Sequence, residues 1–255
     1  MTNQIIYEHP LNERIRTLLR LEHLFQRIAF HLSQPDAWSS RAAINGLLDI
    51  ISILTRSDIR SEVTKELERY TTNLGKIRST QGIDIQHLDE IMRNLEANME
   101  NLHKTSTQVG RDLREDSFLN SIVQRSSIPG GNCAFDLPHY HYWLQQPPEA
   151  RLKDLQNWFC ELEPLQKATQ LLLSLTRDST RSTNERANAG LFKYTLEAQT
   201  PAQLVCIGLS MESRVFPVIS GGKHRFAIRF LEPNMVGKAT QTKRDVEFSL
   251  ICCTF

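Results

Sequence analysis

With 255 residues, 23% of them charged and 40% hydrophobic, and a formal net charge of +1, the chain has the balance of a globular protein with a sizeable core. Near-zero net charge argues against general nucleic-acid binding. No apolar run reaches ~20 residues and no basic-then-apolar leader is present, so neither direct membrane insertion nor export is expected, and the cytoplasm is the expected location.

In chain order, Gln4–Glu8 (QIIYE) is rich in strand formers but too short to make a sheet alone, so it must pair with distant strands. Pro10 and Asn12 mark a helix start, and Ile15, Leu18, Leu19, Phe25, Ile28, Ala29 and Leu32 recur at helical spacing behind it. Arg16 and Arg20, four residues apart, share a neighbouring face. After Gln34-Pro35-Asp36 comes a very apolar helix from Ala42 to Leu54. Ser57-Asp58 then caps a third, with Ile59, Val63, Leu67, Tyr70 and Leu74 on one side and Gly75 loosening its end. A fourth stripe runs through Ile85, Leu88, Ile91 or Met92, Leu95, Met99 and Leu102; it suits a helix docked on its neighbours or a dimer seam.

The densest stretch is Arg111–Leu144. Arg111, Arg114 and Arg125 lie on a short helical run with Leu113, Phe118, Leu119, Ile122 and Val123, which Ile128-Pro129-Gly130-Gly131 ends. Asp136-Leu137-Pro138 restarts a helix, with the carboxylate as cap and proline in the first turn, ahead of His139, Tyr140, His141, Tyr142 and Trp143. Pro147-Pro148 and Glu163-Pro164 open two more amphipathic helices. Arg177–Asn188 is polar and stripeless, so a boundary is expected there.

Beyond it the period changes to two. Phe192, Tyr194 and Leu196 alternate, as do Val205, Ile207 and Leu209, then Phe226, Ile228 and Phe230, then Val246, Phe248 and Leu250. These give four or five antiparallel strands. The expected fold class is therefore α+β: a mainly α-helical body over residues 9–182, then a small antiparallel β domain over 183–255 that residues 1–8 join. In KHRFAIRF, burying Phe226, Ile228 and Phe230 forces Arg225 and Arg229, ~7 Å apart, onto the other face, with Lys223 continuing the parity. That face is either solvated surface or one arm of a docking site.

Several blocks together resemble the ZapD family of bacterial division proteins: EHPLNE at Glu8–Glu13 with Arg16, Arg20 and Glu22 behind it, LRED at Leu113–Asp116, SIPGG at Ser127–Gly131, FDLP at Phe135–Pro138, HxWL at His141–Leu144, RFAIRF at Arg225–Phe230 and the closing Cys252-Cys253. The resemblance implies a helical body with a β domain, a symmetric homodimer, and binding of the C-terminal tail of the tubulin-like protein FtsZ, with bundling of its filaments at the mid-cell Z-ring. Carried over, Arg20, Arg114, His141, Arg225 and Arg229 become candidates for FtsZ contact, and Arg16, Arg125 and Lys223 extend the basic set. His141 is either a contact or a packed ring. Ser117 stands where relatives can carry an arginine after LRED, which implies weaker binding on that arm. Arginines beside rings suit an acidic peptide with apolar anchors, because guanidinium pairs with carboxylate in bidentate fashion. A nucleic-acid-binding protein using the same basic patch is the rival reading.

Enzyme readings find little support. His139 and His141 form an HxH pair without a third ligand at zinc spacing, and the glycine turn at Ile128–Gly131 lacks a P-loop lysine. The five cysteines, Cys133, Cys160, Cys206, Cys252 and Cys253, are odd in number and lack CxxC spacing, so buried or half-buried free thiols are expected. No cofactor, metal or catalytic set is expected.

Overall fold

The computed structural model describes residues 4–78, 82–104, 109–196, 202–222, 224–234 and 236–254. The chain is α+β and divides into two compact units, Arg20–Leu172 and Met1–Leu19 with Leu173–Phe255.

In the helical unit, Asp36 starts α2 (Ala37–Arg56) by accepting the Ser39 N–H at 2.9 Å. Ala43, Ile44, Leu47, Ile50, Ile51 and Leu54 bury its apolar face. Gly46 lets α1 (Glu13–Leu32) approach closely, since a side chain there would strike Ile28. Asp58 caps α3 (Ile59–Ile77) through the Ser61 N–H at 3.1 Å; the helix runs past Gly75 rather than loosening there. α4 (Ile85–Lys104) packs on α3 and buries Leu88, Leu95 and Leu102, seven residues apart. Of the two readings of its stripe, α3 is thus the neighbour it docks on.

The Arg111–Leu144 stretch departs from expectation twice. Its first arm is two helices, α5 (Arg111–Glu115) and α6 (Ser117–Ser126), because Asp116 adopts an extended backbone and caps α6 through the Leu119 N–H at 2.9 Å. In the second arm, Asp136 does not cap α7 (Pro138–Leu144): Leu137 holds the cap position, and Asp136 accepts from the Cys133 thiol at 3.4 Å. α8 (Pro148–Cys160) packs on α2 and carries Arg151, which is buried yet makes four hydrogen bonds. Its guanidinium donates to Ser40 Oγ at 3.1 Å, Leu144 O at 3.2 Å, Pro35 O at 2.6 Å and Gln146 O. One cation thereby ties the starts of α2 and α8 to the end of α7. α9 (Glu163–Arg177) follows.

The β unit holds two antiparallel sheets, not one set of four or five strands. The first has the order β1-β4-β8-β2, formed by β1 (Gln4–Pro10), β4 (Leu204–Ser210), β8 (Val246–Cys253) and β2 (Thr183–Ala187). The second has β3 (Leu191–Thr195), β6 (Arg225–Glu232) and β5 (Phe216–Gly221) in the order β3-β6-β5, with the short β7 (Thr240–Gln241) also on β6. The N-terminal strand joins as expected, and the polar stretch at Arg177–Asn188 turns out to contain β2. One core takes Val205, Ile207 and Leu209 from β4, Val246, Phe248 and Leu250 from β8, and Phe226, Ile228 and Phe230 from β6, so both sheets bury their alternating residues together. The thiols are free, but Cys160 is exposed, contrary to the expectation of burial. Lys223 and the Thr200-Pro201 spacer lie outside the described residues.

Candidate functional site

In the β unit, the strand alternation of β6 places the two arginines of RFAIRF. Phe226, Ile228 and Phe230 are buried, while Arg225 and Arg229 are exposed on the opposite face. β3 pairs with β6 so that Lys193 stands opposite Ala227, the residue between the two arginines. Three cations therefore share one sheet face, and among the described residues no ion pair involves Arg225 or Arg229. Where β3, β5 and β6 end, a cleft of about 710 Å³ opens, lined by Lys193, Tyr194, Gly221, His224, Arg225 and Phe226. Tyr194 remains 39% exposed while stacking on Phe226 at 5.3 Å and on Phe192 at 6.2 Å, so it lies on the inner face of the sheet and reaches the cleft from the side opposite the cations. A side chain at Gly221 would collide with Phe226, which keeps the cleft open at that point.

Arg16, in the same unit, is half-buried and bonded to Glu13 at 3.1 Å. Its charge is partly committed, and it also acts on His9, whose pKa falls below 6.5 through burial and this neighbouring cation.

In the helical unit, Arg114 on α5 lines a second cleft of about 320 Å³ with Arg56 from the end of α2 and Arg60 from the first turn of α3. Arg60 is held there by donating to Leu102 O at 3.0 Å and His103 O at 3.3 Å. The lining thus carries three guanidiniums against the single carboxylate of Asp58, which already caps α3. Neither Arg56 nor Arg60 was picked out by sequence pattern, because their meeting with Arg114 depends on how helix ends pack. The remaining candidates do not line this cleft. Arg20 on α1, Arg125 on the last turn of α6 and His141 on α7 are each exposed at their own positions, and exposure excludes the packed-ring reading of His141. Arg111 is paired with Glu115 at 2.9 Å.

The rings expected to serve as anchors are mostly spent internally. Phe118 lies parallel to Trp158 at 5.6 Å and meets His139, Tyr140 and Trp143 at 5.0, 5.9 and 5.6 Å. Both indole N–H groups are satisfied, Trp143 by Asp154 at 2.9 Å and Trp158 by Asp116 at 3.2 Å. Arg41 sits over Tyr140 at 5.1 Å and over the exposed Trp38 at 5.4 Å. Burial pushes the Tyr140 hydroxyl up to about 12, with Arg41 pulling the other way. No group of three His, Cys, Asp or Glu side chains among the described residues is placed to hold a metal, and none of the described helices is long and apolar enough to cross a membrane.

A family model described as ZapD, cell division protein, matches residues 19–229. The cell division protein ZapD of Methylococcus capsulatus is 39% identical over 254 residues, covering 99% of each chain. That of Coxiella burnetii (strain RSA 493 / Nine Mile phase I) is 37% identical over 251 residues, covering 98% of this chain and 97% of the relative. That of Nitrosomonas eutropha is 37% identical over 250 residues, covering 98% and 99%.

Proposed function

The chain belongs to the ZapD family of cell division proteins, and from that premise we propose that it binds the C-terminal tail of FtsZ and cross-links FtsZ filaments at the mid-cell Z-ring. It acts without catalysis, in the cytoplasm, as a two-fold particle with one tail site per protomer. The observation that carries this reading is the cleft at one end of β3, β5 and β6, which Lys193 and Arg225 line from one face of the sheet and the exposed ring of Tyr194 from the other, with Arg229 further along the cationic face. An extended segment mixing acidic and apolar residues would find carboxylate partners and a hydrophobic seat within one cleft. Single exposed ion pairs contribute only about 0–1 kcal/mol, so several must act together. Two such sites on a symmetric dimer would raise the effective local concentration of tails and join neighbouring filaments.

The test is co-sedimentation of FtsZ polymers formed with GTP. The protein should increase the pelleted FtsZ, deletion of the FtsZ tail should abolish the increase, and Arg225→Glu should reduce it at least about tenfold in concentration dependence, a loss of about 1.4 kcal/mol. Its melting temperature should stay near that of the parent, as for most surface substitutions. Unchanged pelleting with an intact tail, or steeply salt-dependent binding to a generic DNA duplex in its place, would sink the reading.

A further inference from the structure

The cleft of about 320 Å³ between α2, α3 and α5 takes no part in the reading above, and the charge of its lining is unbalanced. Arg56 comes from the last turn of α2, Arg60 from the first turn of α3 and Arg114 from α5, against the one carboxylate of Asp58. Arginine keeps its proton throughout the pH range of a folded protein, so this lining cannot shed charge as a lysine or histidine cluster would. The carbonyl ends of α2 and α4 offset about half a charge each, which leaves the described lining about one positive charge in excess. A counter-anion is the remaining way to balance it.

The lining also says what kind of anion fits. Arg60 is held by the Leu102 and His103 carbonyls at 3.0 and 3.3 Å, and the Asp58 carboxylate is turned to α3 by the Ser61 N–H at 3.1 Å. Arg60 and Arg114 are half-buried and Arg56 is exposed, so an anion among them would be partly shielded from solvent and salt. The apolar lining residues Leu54, Ile59 and Val109 are all buried and offer no surface to an incoming side chain. An acidic peptide that needs apolar anchors has no seat here. A compact anion needs none, and guanidinium forks match phosphate oxygens in bidentate pairs.

We propose that this cleft binds the phosphate group of a small molecule, held by Arg56, Arg60 and Arg114 from three helices at once. Recognition is confined to the phosphate, because the buried floor gives a sugar or base nothing to rest on. Bound there, the anion ties the corner between α2 and α3 to α5, so occupancy stabilises the helical unit. The site shares no lining residue with the cleft at the end of β3, β5 and β6, and it stands or falls independently of tail binding.

Isothermal titration calorimetry and thermal unfolding of the full chain with inorganic phosphate, at constant ionic strength, test the proposal. Phosphate should bind once per chain and raise the melting temperature. Arg56→Ser should weaken that binding at least about tenfold, as expected for losing a hydrogen bond between charged groups, while Arg225→Ser on β6 leaves it unchanged. Should Arg56→Ser fail to fold, Thr55→Glu, which brings a carboxylate into the lining, must weaken binding to a similar degree. Adenosine monophosphate separates free from carried phosphate: equal affinity assigns the site to the phosphate group itself, and binding at least about tenfold tighter than phosphate overturns that assignment. Neither heat nor a thermal shift at millimolar phosphate overturns the site, as does binding lost in Arg225→Ser and kept in Arg56→Ser. FtsZ pelleting by Arg56→Ser should match the parent; pelleting lost while phosphate binding is kept would give the cleft to the tail and overturn the proposal.

Discussion

The Phe118 cluster and the β6 face are both arginine- and ring-rich in sequence, yet they are opposite kinds of surface. Around Phe118 the rings stack on one another, and both indoles have found carboxylates within the same unit. On β6 the rings turn one side inward, leaving Tyr194 and the cations of Arg225, Arg229 and Lys193 to the solvent. The same residue types thus build a core in one place and an open, solvent-facing surface in the other. What decides between them is whether their polar atoms are already satisfied. The contrast also explains why the stretch with the most motifs need not be the stretch that meets a partner.

The most severe way to break the comparison is Trp143→Ala. Trp143 is 7% exposed and touches three other rings, so its loss should destabilise the protein by about 3–5 kcal/mol in denaturant unfolding. Tail binding should persist under conditions where the variant remains folded. A loss below about 1 kcal/mol would mean that the cluster is not a core at all.

Asp116→Ala should have the next largest effect. This one carboxylate caps α6 and receives the Trp158 indole, so two polar partners disappear together. The expected destabilisation is about 1–2 kcal/mol. Asp116→Asn, which keeps an acceptor, should restore most of it; equal losses for both variants would show that charge, not capping, is what Asp116 contributes.

β6 and β8 were legible in the sequence because a sandwich core demands alternation and they obey it; β4 carries the same period through Val205, Ile207 and Leu209 but is buried on both faces. β2 was not, because Thr-Asn-Glu-Arg-Ala reads as a polar linker until β8 is known to lie beside it. β5 was missed for a related reason: Pro217 argues against a strand interior, and only an edge position accommodates it. Of the site, Arg225 and Arg229 followed from parity alone. Lys193 required the β3–β6 register, and the meeting of Arg56, Arg60 and Arg114 required the packing of helix ends. Local period is written along the chain; the partner across a ladder or a cleft is not.

The smallest effects, and the ones that sharpen the contrast most cleanly, come from pH. His9, in the β unit, has its pKa lowered from 6.5 by burial and by Arg16, so the unfolded chain takes up a proton that the folded chain resists. Its contribution is complete above about pH 6.5 and fades as pH falls through the lower folded value. Tyr140, beside Phe118, is displaced the other way, from 10.0 to about 12, because burial disfavours the phenolate. The folded chain keeps that proton longer than the unfolded one, so stability is complete below pH 10 and declines as pH rises toward 12. Unfolding measured across both windows should therefore show an acid decline flattened by His9→Gln and untouched by Tyr140→Phe, with the reverse on the alkaline side. If one substitution flattened both limbs, the two regions would be answering to a single titration, and the division between a self-satisfied core and an open β unit would lose its electrostatic basis.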